Sequence, residues 1–223
     1  MPVILFAVLV VVAFTLLGTG LHYYEYGSLN WVLFLMALFL STNLLIAGWE
    51  ICLFLRRDHI KSRSEYWRDR QKATGRAPGV EFLTSRVPWR GMLSPTFWAD
   101  VWAAYSLYDD AYTDRGTFGF NADTGNGFFT PVPTLILYAA LTTGFMPAVY
   151  TGILGLALFW QWTYVSSLYW VSFLITGRQH QISKREVYAY VFSPNAVWIA
   201  FPILGLYVSA RLIIDGSYGI LGY

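Results

Sequence analysis

Tyr190 to Pro202, YVFSPNAVWIAFP, lies inside the last long apolar segment of a 223-residue chain. It carries an amide (Asn195), an indole (Trp198) and two prolines (Pro194 and Pro202). A segment that had only to sit in lipid would avoid these groups, because a buried amide or indole N–H without a partner costs free energy. In a spanning helix they point to protein or to a bound ligand. The fold therefore turns on which other apolar segments surround this one.

Working outward, 56% of the residues are hydrophobic and 13% are charged, against about 25% charged in a soluble domain. With a mean hydropathy of +0.46, the chain is expected to be an all-α integral membrane protein of one domain, residues 1–223. Five spans are expected, near residues 2–20, 30–55, 118–144, 147–175 and 187–214. The first is free of charge and makes about 28 Å of helix at ~1.5 Å per residue, close to a hydrocarbon core of ~30 Å. It lacks the Lys or Arg that precedes a signal-peptide core and exceeds the usual length of ~7–15 residues. An uncleaved span is expected there.

Residues 56–116 form a basic loop. RRDHIKSRSEYWRDRQK reads as a surface helix ended by GRAPG at 75–79. SPTFWADVWAAYSLYDDAY begins with a Ser94-Pro95 helix start, and its aromatics recur at spacings of three and four, so an amphipathic helix at the membrane interface is expected. Five spans put 14 of the 15 Lys and Arg residues on one side. The positive-inside bias makes that side cytoplasmic, in the endoplasmic reticulum of a eukaryote or the cytoplasmic membrane of a bacterium.

The totals also exclude functions. A net charge of +2 is too small to imply nucleic acid as a partner. Cys52 is the single cysteine, so there is no intramolecular disulfide or cysteine cluster. His22, His59 and His180 lie in or beside loops without metal-ligand spacing, so no metal is expected. Asp123-Thr124-Gly125 spells an aspartic-protease tripeptide, but it occurs once and inside a span.

Two acids stand within apolar segments, Glu50 and Asp123. Charge is costly there, so both are functional candidates. Two plainer readings compete: Glu50 can reach back to Arg56 or Arg57, and Asp123 can serve as a helix-start residue. The functional reading is proton transfer, since a carboxyl group removed from water can hold a proton and give it to an alkene or epoxide. An indole face such as Trp198 stabilises a neighbouring cation by ~0.5–2 kcal/mol. Asn195 can orient an acid or bind a hydroxyl.

Three blocks resemble the emopamil-binding proteins, the sterol Δ8-Δ7 isomerases of the EXPERA superfamily. VWAAYSLYDDAY at 101–112 is similar to the family's LWKEYxKGDSRY segment, Asp123 in NADTGNG falls on its third-span acid, and SPNAVWIAFP matches FMNALWLVLP at Asn195, Trp198 and Pro202. In the second span, STNLLIAGWEICLF keeps Gly48 and Trp49 of the family's FIHLVIEGWF but has Asn43 for its histidine and Ala47 for its glutamate. Glu50 stands three residues after Ala47, roughly 60° around the helix.

The resemblance implies a five-helix bundle with a membrane-accessible cavity for a sterol-like or other isoprenoid ligand. It implies a cofactor-free double-bond shift through a carbocation, with Asp123, Glu50, Trp198 and Asn195 catalytic. Substrate contacts are expected from Asn43, Trp49, Asn126, Tyr164, Ser166 and Tyr169. Trp49-Glu50 is also similar to a Trp-Glu pair of membrane terpene cyclases, and loss of the second-span histidine and glutamate favours a non-catalytic lipid-binding or trafficking protein. These alternatives stay open, as does a homodimer.

Overall fold

The computed structural model describes residues 1–223. The chain is helical throughout, with no strand and a single isolated bridge, Pro2 to Arg86. The long helices are α1 (Val3–Tyr26), α2 (Trp31–Leu55), α9 (Ala148–Ile175) and α10 (Lys184–Asp215). Between α2 and α9 come α3 (Arg57–Thr74), α4 (Pro78–Thr84), α5 (Trp89–Met92) and α6 (Pro95–Tyr105), then α7 (Phe118–Phe129) and α8 (Pro131–Thr143). Three helices, α1, α2 and α10, are long and apolar enough to cross a membrane.

Local chemistry explains the boundaries. Asn30 caps α2, its Oδ1 accepting from the backbone N–H of Val32 at 2.7 Å and of Leu33 at 3.2 Å, which satisfies two donors that a helix start leaves open. α3 ends where Gly75 turns left-handed at φ 66° and donates its N–H to Gln71 O, a conformation that costs glycine nothing. The single span expected at 118–144 is two helices meeting at Thr130. Pro131 and Pro133 supply no N–H, so the ladder of α7 cannot run on unbroken into α8.

The expected fifth span, 187–214, begins earlier, at Lys184, and changes its winding. Ser183 opens it with a capping box closed by Glu186. Val187–Phe192 is wound as a π-helix, with the N–H of Ser193 bonding Tyr188 O five residues back. The wide turn ends next to Pro194, whose ring and missing N–H are incompatible with a regular turn at that point.

The chain divides into two compact units that share its long helices. The first comprises Met1–Val8, Ile46–Phe128 and Leu168–Asn195. At its core is α6, whose Ala99, Ala103 and Ala104 are fully buried beside Trp98 and Trp102. These small side chains let neighbouring helices approach, and α6 packs on α3 and α4. Asp100 on α6 holds the Arg63 guanidinium of α3 through two bonds of 2.9 and 2.6 Å, the two-pronged geometry that makes such pairs strong. The aromatic side chains of the helix expected at a membrane interface are packed inside the unit, with Trp98, Trp102 and Tyr108 all buried.

The second unit comprises Leu9–Leu45, Phe129–Ser167 and Ala196–Tyr223. Leu33, Met36, Ala37 and Leu40 mark one face of α2 at spacings of three and four, and pack with Leu137 and Leu141 of α8, Phe159 and Trp162 of α9, and Val208 and Leu212 of α10. Tyr218 pins the tail by donating to Met146 O at 2.7 Å.

Ala103 lies fully buried in the first core. Replacing it with leucine overpacks that core, and Ala103→Leu should destabilise the unit by about 1–3 kcal/mol. Thermal melting of the purified protein in detergent should show an earlier transition. An unchanged transition would contradict the packing of α6.

Candidate functional site

The expected acid pair is assembled by a close helix approach in the first unit. Asp123, Asn126 and Gly127 stand at spacings of three and four on α7, so they share one face. A side-chain carbon added at Gly127 would lie 2.8 Å from the Ile51 backbone nitrogen and 2.9 Å from Glu50 Cβ. Only glycine lets the α7 backbone reach α2 there. Glu50 is 7% exposed. Its carboxyl group hydrogen-bonds the Asn126 side chain and lies within electrostatic reach of Asp123.

Asp123 has its own donor. The Tyr112 hydroxyl gives a 2.6 Å bond to Asp123 Oδ2. Tyr112 lies on a short 3₁₀ turn, Asp110–Thr113, with its ring stacked on Trp102 at 4.9 Å. Burial, and then the negative charge of Asp123, push the Tyr112 hydroxyl well above the ordinary phenol range, so it keeps its proton and remains a donor. Trp102 is itself anchored, its indole N–H donating to Trp49 O at 2.7 Å. Trp49 stacks on Trp98 at 5.3 Å and leaves its own Nε1 buried without a partner.

A second polar network stands in the same unit. Asp109 is fully buried at its side chain and pairs with Arg178. Its Oδ2 accepts from Tyr169 at 2.6 Å and its Oδ1 from the Ala111 N–H at 3.0 Å. Tyr169 has one hydroxyl proton and gives it to Asp109, so in its 3.0 Å contact with Tyr105 the donor is Tyr105. The Asn195 side-chain amide then donates to the Tyr105 oxygen at 3.4 Å and to Val191 O at 2.7 Å. The bonds run in one direction, from Asn195 through Tyr105 and Tyr169 to Asp109. Asn195 was expected to orient an acid or bind a substrate hydroxyl. Both of its amide hydrogens are held by the protein, one of them by a carbonyl of the π-wound turn.

In the second unit Trp198 donates its indole N–H to Asn43 Oδ1 at 3.1 Å. Its ring lies 6.3 Å from Phe39, which stacks on Phe201 at 5.7 Å. Asn43 is buried and its Nδ2 has no hydrogen-bond partner. Tyr164 is 53% exposed and stacks on Trp160 at 6.1 Å, and Ser166 is half-buried. The structure therefore joins Glu50, Asp123 and Asn126 in one cluster, Tyr169 and Asn195 in another, and Asn43 with Trp198 in a third.

The two plainer readings of the acids do not describe this structure. Arg56 bonds Thr96 Oγ1 at 2.7 Å and Arg57 lies 4.7 Å over the Phe54 ring, so neither holds Glu50. Asp123 is the sixth residue of α7, well inside the helix. No group of three His, Cys, Asp or Glu side chains is arranged to hold a metal ion. No protein-family model, curated protein or solved structure matches the chain.

Asp109 and Arg178 were not singled out from the sequence. Arg178 looked like one more positive charge in a loop. The only hint was the Asp-Asp pair at 109–110 directly after an aromatic-rich helix. Removing one partner of a buried ion pair leaves an uncompensated charge, at about 3–5 kcal/mol. Arg178→Met should thus lower the melting temperature strongly, and Asp109→Leu with Arg178→Met should recover much of the loss. Additive losses in the double variant would contradict the pairing.

Proposed function

We propose that the chain is a five-span membrane enzyme of the isomerase type, which shifts a double bond in a sterol or other polycyclic isoprenoid through a carbocation. The observation that carries this reading is a buried Glu50 carboxyl group bonded to Asn126 and within electrostatic reach of the half-buried Asp123. One carboxylic acid adds its proton to an alkene carbon, leaving the cation on the neighbouring carbon. The other, as carboxylate, removes a proton from the next carbon along, and that C–H electron pair becomes the new double bond. The acceptor is then protonated and the donor is not. Loss of the captured proton to solvent and reprotonation of the donor from solvent restore the starting state, so no redox cofactor is consumed.

In this reading α7 and α8 together cross the membrane as the third span and α9 as the fourth. A cavity open to the bilayer admits the apolar substrate. The basic segment 56–116 lies on the cytoplasmic side together with the chain start, consistent with the bridge between Pro2 and Arg86. The resemblance to the sterol isomerases adds the substrate class.

A second reading, a non-catalytic lipid-binding or trafficking protein, has one observation in its favour. Asn43 stands where a proton-handling histidine is expected, and its carbonyl is committed to Trp198.

Incubation with unsaturated sterols and isoprenoids in deuterated water separates the two. The isomerase reading expects a product with a shifted double bond carrying solvent deuterium. Asp123→Asn and Glu50→Gln should each lower turnover by at least about 100-fold while saturable binding persists. Binding without turnover on every substrate, unaffected by Asp123→Asn, would favour the lipid-binding protein.

A further inference from the structure

The segment Ser85 to Leu93, SRVPWRGML, is tied to the start of α1. Val3 N–H donates to Ser85 O at 3.1 Å and Val87 N–H to Met1 O at 3.1 Å. The Met1 amino group adds a 3.2 Å bond to Val87 O. Phe6 on the first turns of α1 meets the Trp89 ring edge-on at 5.6 Å. Because α1 is 24 residues long and apolar enough to cross a membrane, its first residues belong at a membrane surface, and the segment fastened to them belongs there too.

What this segment presents fits such a surface. Trp89 is 62% exposed and Leu93 70% exposed. Arg86 and Arg90, both exposed, make no ion pair within the protein. No Asp or Glu occurs between Glu81 and Asp100. Three other arginines of the same loop are paired within the unit, Arg63 with Asp100, Arg70 with Glu81 and Arg115 with Asp58, whereas Arg56, Arg57, Arg68 and Arg76, like Arg86 and Arg90, make no ion pair. An exposed indole and an exposed leucine four residues apart suit the boundary between headgroups and acyl chains. Two uncompensated guanidinium groups suit the phosphate of an anionic headgroup.

We propose that Arg86, Trp89, Arg90 and Leu93 form a docking site for an anionic phospholipid, with the guanidinium groups on its phosphate and Trp89 and Leu93 against its acyl chains. The proposal rests on α1 lying in the bilayer and is independent of any chemistry at Glu50 and Asp123. The site would hold the α4–α6 region against the cytoplasmic leaflet.

The test uses the full chain in nanodiscs containing an equal fraction of brominated phosphatidylglycerol or brominated phosphatidylcholine. Tryptophan emission is compared between the native chain and Trp89→Phe, which isolates the Trp89 contribution. Quenching of Trp89 by the brominated phosphatidylglycerol should exceed that by the phosphatidylcholine by at least about twofold. Arg86→Gln with Arg90→Gln should abolish the difference, and Arg86→Lys with Arg90→Lys should keep most of it. Equal quenching by the two lipids in the native chain would overturn the headgroup preference. Absence of Trp89 quenching by either would overturn the placement of the segment in lipid.

Discussion

The approach of the α7 backbone to α2 at Gly127 is the constraint on which the acid cluster depends. With a glycine opposite Glu50, the two helices come within van der Waals contact of backbone and Cβ, the neighbouring Asn126 is delivered to the Glu50 carboxyl, and Asp123, one turn back, comes within electrostatic reach. Any larger residue would have to push α7 outward by the width of a methyl group or more. Asn126 and Asp123 would move with it, and Glu50 would be left buried without its hydrogen bond.

The first unit handles buried polarity in two contrasting ways. At Asp109 the carboxylate is compensated by a guanidinium, a phenol and a backbone N–H, each a donor to it. At Glu50 and Asp123 two acids lie within electrostatic reach of each other, with an amide and a phenol as neutral partners. The first arrangement holds α6, α9 and the 178 loop in register. The second leaves two acids without a cationic partner, and the proposed proton transfer rests on them. The one-way chain from Asn195 to Asp109 links the π-wound start of α10 to the structural ion pair.

Much of the helical layout was legible because apolar length and charge runs are local properties. The charge-free run of α1, the arginines after Leu55 and the glycine at 75 each mark a boundary by their own chemistry. Glu50 and Asp123 stood out because a charge in an apolar segment is conspicuous anywhere. Gly127 did not, since a glycine in NADTGNG reads equally well as a turn. The partnership of Asp109 with Arg178 joins residues 69 positions apart, and no periodicity reports such a contact. The spacing of the aromatics in α6 marks a helical face, yet spacing alone does not say whether that face meets lipid or protein. Its neighbours Ala99, Ala103 and Ala104 do, because small residues permit close packing.

The contact between α2 and α7 is tested most directly by covalent trapping. Glu50→Cys and Asn126→Cys, introduced together in a chain that keeps Gly127 and carries Cys52→Ser, would place thiols at two positions whose native side chains bond to each other, where a disulfide reports the approach. After mild oxidation and proteolysis within the 56–116 loop, the account predicts two fragments that stay joined until reductant is added. Fragments that separate without reductant would contradict the close approach at Gly127, and with it the acid cluster.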